Sequence, residues 1–253
     1  MSDEPTLLGV IEGLERHLER LRDDGETRVE VARATLDALA RPSEAELSPK
    51  TALPGEVAPI RADFASLAEI SAEIAVCRRC ALCEKRNRVV PGEGNPNAPA
   101  VLFVGEGPGA EEDAQGRPFV GAAGRLLTKM IAAMGFRREE VFIANVVKCR
   151  PPGNRTPAPG EMAACLPFLR QQIRLIRPKT LVALGSTALK GLLPDEKAGI
   201  TRLRGQWKTY EGVRLMPTFH PSYLLRNPSK KKDVWSDLKQ VLEVLGREPP
   251  AGK

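Results

Sequence analysis

Residues 100–109, AVLFVGEGPG, form a short apolar run that ends in a glycine-rich turn. Such a run, bounded by glycine, is typical of a buried strand. Three further apolar runs follow at 141–149, 179–185 and 213–219, and stretches with helical periodicity separate them. Strands that alternate with helices predict an α/β fold with a mostly parallel sheet covered on both faces.

The unusual motifs of the chain all follow these predicted strands. They are GEGPG at 105–109, NVVKCRPPGNR at 145–155 and FHPSYLLR at 219–226. In open α/β sheets the functional sites gather at the carboxyl ends of the strands. The sequence therefore predicts one site built from these three motifs.

The composition is that of a globular protein rather than a membrane protein. Of 253 residues, 42% are hydrophobic and 28% are charged, and no apolar run is long enough to span a bilayer. The first residues, MSDEPTLLGV, lack the basic segment and small-residue cleavage site of a signal peptide. We therefore expect a cytoplasmic protein with no membrane partner.

Charge divides the chain into two predicted regions. Residues 1–64 carry 8 Lys and Arg against 14 Asp and Glu, whereas residues 65–253 carry 30 against 18. We interpret 1–64 as an acidic extension, with a helix at 7–22 and a linker, that is a candidate docking segment for an unidentified protein. The basic region 65–253 is the predicted main domain, and its charge favours a polyanion such as nucleic acid over a merely soluble basic surface.

Five cysteines predict a metal centre rather than disulfides, since a cytoplasmic protein seldom forms disulfides. Cys77, Cys80 and Cys83 form a C-x2-C-x2-C motif, Cys149 ends the second predicted strand, and Cys165 lies in the next helix. Two close cysteines joined by two distant ones fit a [4Fe–4S] cluster at least as well as zinc. The preferred set omits Cys83, but the spacing also allows Cys80 with Cys83.

The glycine-rich turn does not match a phosphate-binding loop. It lacks the Lys-Ser/Thr of a P-loop and the spacing of a dinucleotide fingerprint, and it is crowded with carboxylates. Acidic residues at 111–113 suit a helix N-terminus. Glu106 does not fit that explanation, and the glycines on either side of it would let the backbone approach a flat ligand closely.

Taken together, the motifs closely resemble the family 4 uracil-DNA glycosylases, the iron–sulfur type. The resemblance runs over roughly residues 70–245 and rests on GEGNPNAPAVLFVGEGPGAEEDAQGRPFVGAAGRLL, NVVKCRPPGNRTP and FHPSYLLRNPS, in that order. It implies a three-layer α/β/α sandwich around a four-stranded, mostly parallel sheet. It also implies that Cys77, Cys80, Cys149 and Cys165 hold a [4Fe–4S] cluster, with Cys83 spare.

The resemblance further implies which residues bind the base. Phe119 would stack on the extruded uracil, and the amide of Asn145 would pair with the uracil edge, since it offers both a donor and an acceptor. Glu106 and Gly107 would line the floor of the pocket. Either Glu106 or Glu112 would place the attacking water, and Asn154 would lie near the sugar and that water.

The implied activity is hydrolysis of the N-glycosidic bond of uracil in single- or double-stranded DNA, by a monomer that initiates base excision repair. His220 would donate a hydrogen bond to the uracil O2 as negative charge develops there, for which a neutral imidazole suffices. The remaining implied DNA contacts are a wedge that fills the gap left by the base, and a phosphate clamp. These contacts come from Tyr223, Leu224, Leu225, Arg226 and Lys230.

Three alternative functions are compatible with parts of the sequence. A glycosylase of broader scope would remove other deaminated bases from the same pocket. A catalytically silent nucleic-acid-binding protein on the same fold would bind DNA without forming abasic sites. An iron–sulfur redox protein would explain the cysteines but not GEGPG or His220.

Overall fold

A computed structural model describes residues 60–61, 63–194 and 196–250. The predicted extension 1–64 lies outside the described residues except for its last few positions, and so does its predicted helix at 7–22. Phe64, at the predicted domain boundary, is buried in the core.

The sheet has six strands rather than the four that were predicted. The four central strands are parallel and correspond to the four predicted apolar runs, while a short antiparallel strand is added at each edge. The order across the sheet is β1-β3-β2-β4-β6-β5. The strands are β1 (Glu93–Gly94), β2 (Val101–Gly105), β3 (Phe142–Asn145), β4 (Thr180–Leu184), β5 (Lys208–Tyr210) and β6 (Val213–Thr218).

Helices cover both faces of the sheet, as the alternation predicted. One apolar cluster joins one face to α1, α4 and α5, and a second joins the other face to α3, α7 and α8. No helix of the described residues is both long and apolar enough to cross a membrane. The helices are α1 (Leu67–Val76), α2 (Ala110–Gln115), α3 (Ala122–Ala133), α4 (Pro159–Ile176), α5 (Gly185–Leu192), α6 (Ile200–Leu203), α7 (Pro221–Arg226) and α8 (Lys231–Val244).

Burial on both faces explains why the central strands read as continuous apolar runs. Every residue of β2, β3 and β4 is buried, which is the pattern of a parallel sheet enclosed between helices. The chain passes from β2 to β3 on one side and then to β4 on the other side. This reversal opens a crevice between the carboxyl ends of β2 and β4, where ligands bind in such folds.

Candidate active site

A cavity of about 470 Å³ lies at the carboxyl ends of the four parallel strands. Its walls come from the loops that follow β2, β3, β4 and β6, so the structure brings the three predicted motifs together. Predicted site residues that line it are Glu106, Gly107, Glu112, Phe119, Asn145, Asn154, His220, Tyr223 and Arg226.

Asn145 and Phe119 meet over Gly105 at the floor of this cavity. A Cβ added at Gly105 would lie 2.5 Å from Cζ of Phe119 and closer still to Oδ1 of Asn145. Asn145 is 1% exposed, and its Oδ1 accepts no hydrogen bond from any described residue. A buried amide oxygen without a partner is costly, so this atom is placed to accept from a ligand.

Phe119 has an uncommon backbone conformation. Its φ of 51° lies in the left-handed region, which non-glycine residues seldom adopt. The backbone passes so close to Gly124 that a Cβ there would collide with the Phe119 carbonyl. The buried ring lies 5.6 Å from the ring of His220, centroid to centroid. A flat group that enters the cavity would contact both rings.

His220 has a defined tautomer because the backbone uses one of its ring nitrogens. Nδ1 accepts a hydrogen bond from the N–H of Ser222 at 3.1 Å, so in the neutral ring the proton lies on Nε2. Burial lowers the pKa of His220 to about 4, with Arg226 contributing and Glu112 opposing. At neutral pH the site therefore presents an uncharged imidazole whose N–H is not used by any described residue.

The two candidate carboxylates differ in how far the protein already uses them. Glu112 Oε1 accepts from the N–H groups of Val120 and Gly121, each at 2.9 Å, and its Oε2 accepts from Gly109 at 3.1 Å. The side chain of Glu106 has no hydrogen-bond or ion-pair partner among the described residues. Of the two, Glu106 is the carboxylate with both oxygens free for water or ligand.

Asn154 lies on an exposed turn at the rim, also with a left-handed φ of 56°. Its Oδ1 accepts from Nε of Arg150 at 2.8 Å, which leaves its amide N–H groups for the cavity. The neighbouring Arg155 lines the same rim and pairs with Glu161 through two bonds of 2.7 and 2.8 Å.

The predicted DNA-contact residues separate into buried and exposed positions. Leu224 is 1% exposed and packs in the core, whereas Leu225 is 47% exposed, so Leu225 is the leucine of this pair that a duplex can reach.

The other predicted contact residues lie at or near the rim of the cavity. Tyr223 packs on Phe219, with ring centroids 4.8 Å apart, and lines the cavity. Arg226 is exposed at the rim. Lys230 is exposed and pairs with Asp233 at 3.1 Å.

A second, small cavity is lined by all five cysteines together with Arg86 and Lys148. Arg86 donates to Sγ of Cys149 at 3.2 Å, and the backbone N–H of Lys148 donates to Sγ of Cys165 at 3.3 Å. Donors of this kind stabilise thiolates that ligate a metal. Among the described residues, however, no three or more side chains converge as the ligands of a single metal ion.

Burial favours the protonated thiol form of three of the five cysteines that line this cavity. It raises the pKa of Cys165 to about 12, although nearby Lys148 opposes the shift, and it also raises the pKa of Cys80 and Cys149. Thiols that are protonated at neutral pH are poor nucleophiles. A structural or ligating role therefore suits these residues better than a catalytic one.

Lys148 links the cysteine cavity to the floor of the larger cavity, and sequence reasoning missed it. The side chain is fully buried, and its Nζ donates to the carbonyl of Asn145 at 2.9 Å and to Oε1 of Gln172 at 2.7 Å. Burial lowers its pKa to about 8. A lysine inside the apolar run at 141–149 is the sequence signal by which this role could have been found.

The larger cavity is also lined by residues that the sequence did not predict and that no sequence signal marks, namely Arg155, Ser186 and Thr187.

Comparison with known proteins places these features in a family. The sequence model of the "Uracil DNA glycosylase superfamily" matches residues 91–239, which include every wall of the larger cavity.

Several curated relatives carry the name type-4 uracil-DNA glycosylase. The protein of Thermotoga maritima is 49% identical over 71% of this chain and 94% of its own length. Those of Sulfurisphaera tokodaii and Archaeoglobus fulgidus are 46% and 43% identical, over 71% and 73% of this chain and 84% and 96% of their own lengths.

Proposed function

Because the chain belongs to the uracil DNA glycosylase superfamily, we propose that it removes uracil from DNA by hydrolysing the N-glycosidic bond. The observation that carries this proposal is the buried Oδ1 of Asn145, which has no partner among the described residues and lies beside the ring of Phe119. An amide there would accept from the uracil N3–H and donate to the adjacent carbonyl. The ring of Phe119 would stack on the base.

The reaction begins when the nucleotide leaves the helix and its base enters the cavity, which costs a few kcal/mol of unstacking and unpairing. A cavity of about 470 Å³ accommodates a pyrimidine with its sugar at the mouth. Exposed Leu225 would fill the gap in the stack. Arg226 and Lys230 would hold the flanking phosphates.

Breaking the C1′–N1 bond leaves negative charge on the uracil, which His220 would stabilise. Its Nε2–H is the donor that the Ser222 hydrogen bond leaves free. A neutral imidazole needs no prior proton uptake, and burial keeps it neutral well below physiological pH. A fixed donor aimed at developing charge in a site shielded from water is the larger part of such catalysis.

The sugar becomes positively charged as the bond breaks, and a carboxylate at the cavity stabilises that charge. In our proposal Glu106 also orients the water that attacks C1′, because its oxygens are free. Glu112 instead fixes the loop at 119–121 through its backbone bonds. Asn154, held by Arg150, would contribute its N–H groups to the water or sugar.

We assign a [4Fe–4S] cluster to Cys77, Cys80, Cys149 and Cys165. The donor set fits, because these thiols line one cavity with Arg86 and a backbone N–H already directed at two of the sulfurs. A [4Fe–4S] cluster is larger than a single metal ion, so its four cysteine ligands lie further apart than the ligands of a zinc ion. When bound, it would cross-link the segment at 77–80 to the segment at 149–165. Thiolate ligands also suit the reducing cytoplasm, where we place the protein.

The direct test incubates the purified protein, handled without oxygen, with end-labelled DNA that carries one uracil, followed by alkali. We expect cleavage at the uracil in single-stranded and duplex DNA, and loss of that cleavage in His220→Ala. DNA with hypoxanthine at the same position tests the broader scope. Tight binding of uracil-DNA by a folded protein without any abasic product would instead support the silent-binder alternative.

A further inference from the structure

Phe119 needs surrounding contacts to hold its backbone, because a left-handed conformation is unfavourable for a residue with a side chain. We propose that Glu93 and Arg138 are positioning residues that fix the backbone before Phe119 and so set the affinity for the extruded base. This inference rests on the proposed function, in which Phe119 stacks on uracil. Neither residue lines the larger cavity.

Arg138 makes the central contact. Its Nη2 donates to the carbonyl of Pro118 at 2.5 Å, the residue directly before Phe119, and to Oε1 of Glu93 at 2.8 Å. Its Nε donates to the same carboxylate oxygen at 3.0 Å. The side chains of Arg138 and Glu93 are 18% and 25% exposed, and a partly buried, multiply bonded pair is held more firmly than a surface ion pair.

Glu93 connects this clamp to the sheet. It lies on β1 opposite Ile143 of β3, and its Oε2 accepts from Nε of Arg117 at 2.8 Å. Of the two residues that precede Phe119, Arg117 is therefore bonded to Glu93 directly, and Pro118 is bonded to Arg138, the partner of Glu93. Since β3 ends at Asn145, the clamp fixes the position of the ring relative to the strand that carries the amide.

The far side of the same loop is fixed from within the cavity. There Glu112 accepts from the N–H groups of Val120 and Gly121, immediately after Phe119. The left-handed residue is thus held between two anchors. The anchor at Glu93 and Arg138 is the one that can be altered without touching a residue of the cavity.

The charge state of Glu93 supports a permanent clamp. Partial burial raises its pKa, but hydrogen bonds from Arg117 and Arg138 outweigh burial and hold the pKa of Glu93 below its usual value. The carboxylate therefore stays ionised, and both arginines stay paired, throughout the physiological range.

The test compares Arg138→Ala and Glu93→Gln with wild-type protein on single-stranded DNA with one uracil, and with free uracil as an inhibitor. We expect KM and the inhibition constant of uracil to rise together by roughly tenfold, the population cost of a left-handed residue that is no longer held. We expect kcat to change by less than about twofold, because stacking acts in the ground and transition states alike. Binding of uracil-free DNA should be unchanged.

Arg137→Ala is the matched control. It is the neighbouring arginine, its side chain is 72% exposed, and its ion-pair partners among the described residues are Glu139 and Glu140. We expect it to leave KM and the inhibition constant unchanged. A comparable effect of Arg137→Ala would indicate a general charge effect and overturn the proposal.

A double-mutant cycle separates positioning from general destabilisation. In a Phe119→Ala background, Arg138→Ala should weaken uracil inhibition no further, because the ring that it positions is gone. Additive effects, or a fall in kcat with unchanged uracil inhibition, would overturn the proposal. If Arg138→Ala does not fold, Arg138→Lys keeps the charge without the forked geometry and enters the same cycle. Absence of uracil excision by the wild type would refute the proposed function instead.

Discussion

Replacing Gly105 with alanine tests the geometry of the base pocket directly. The added Cβ would lie 2.5 Å from Cζ of Phe119, where ordinary contact begins at 3.4 Å, and it would approach Oδ1 of Asn145 more closely still. Gly105 does not have a positive φ, so alanine fits the backbone there. The atoms nearest to the added Cβ belong to the two base-binding side chains, so the substitution perturbs these first.

The expected fall in kcat/KM follows from the hydrogen bonds and the stacking contact that the base would lose. Displacing the Asn145 amide removes two neutral hydrogen bonds of about 1 kcal/mol each. Displacing the ring removes stacking worth about 1 kcal/mol or more. A total of about 3 kcal/mol corresponds to a fall in kcat/KM of roughly 150-fold. Overpacking should also lower the free energy of unfolding by about 1–3 kcal/mol.

The assay is excision of uracil from single-stranded DNA, at a temperature well below the unfolding midpoints of wild type and variant. Gly160→Ala is the matched control, because it makes the same chemical change in helix α4, where no described residue beyond the adjoining helix backbone lies within 4 Å of the added Cβ. We expect that control to keep full activity. Activity of Gly105→Ala within about twofold of wild type would refute the pocket geometry, since the stated contacts are worth far more.

Three further predictions concern other parts of the site. Because burial holds the pKa of His220 at about 4 while an unfolded histidine titrates near 6.5, this histidine should lower the free energy of unfolding by about 1–3 kcal/mol as pH drops from 6.5 to 4. Denaturant titrations across that range should show a fall that is larger by this amount in wild type than in His220→Gln, since carboxylates such as Glu93, whose pKa is held below its usual value, contribute equally to both proteins. Asn145→Asp should lower kcat/KM on uracil at least about tenfold and favour cytosine relative to uracil, because a carboxylate cannot donate to the uracil carbonyl but can accept from the cytosine amine. Excision from matched uracil and cytosine oligonucleotides measures the ratio of kcat/KM for the two bases. Cys165→Ser should lose iron and acid-labile sulfide whereas Cys83→Ser keeps both, and equal retention in the two variants would contradict the ligand assignment.

The central sheet was predictable because its strands are buried on both faces. Continuous apolar runs such as 100–104 and 181–184 stand out against the helical stretches between them. The edge strands β1 and β5 were not predictable, since two or three residues give no periodicity and their pairing depends on neighbours far along the chain.

The site was partly predictable for a related physical reason. Asn145 and His220 are polar residues at the ends of apolar strands, and that position is itself unusual. Arg138 carries no such signal, because its partner Glu93 lies 45 residues away in sequence. The different burial of Leu224 and Leu225 follows from the orientation of α7, which the motif alone does not fix.

The short edge strands have a consequence for the behaviour of the protein at high concentration. An exposed, long and flat edge offers unpaired backbone groups to the edge of another sheet, and this is a common route to aggregation. Here each edge is only two or three residues long. Each edge also carries a charged side chain in an ion pair, Glu93 with Arg138 and Lys208 with Glu196, both at 2.8 Å. Among the described residues, both edges of the sheet are therefore poor templates for the addition of a strand from another sheet.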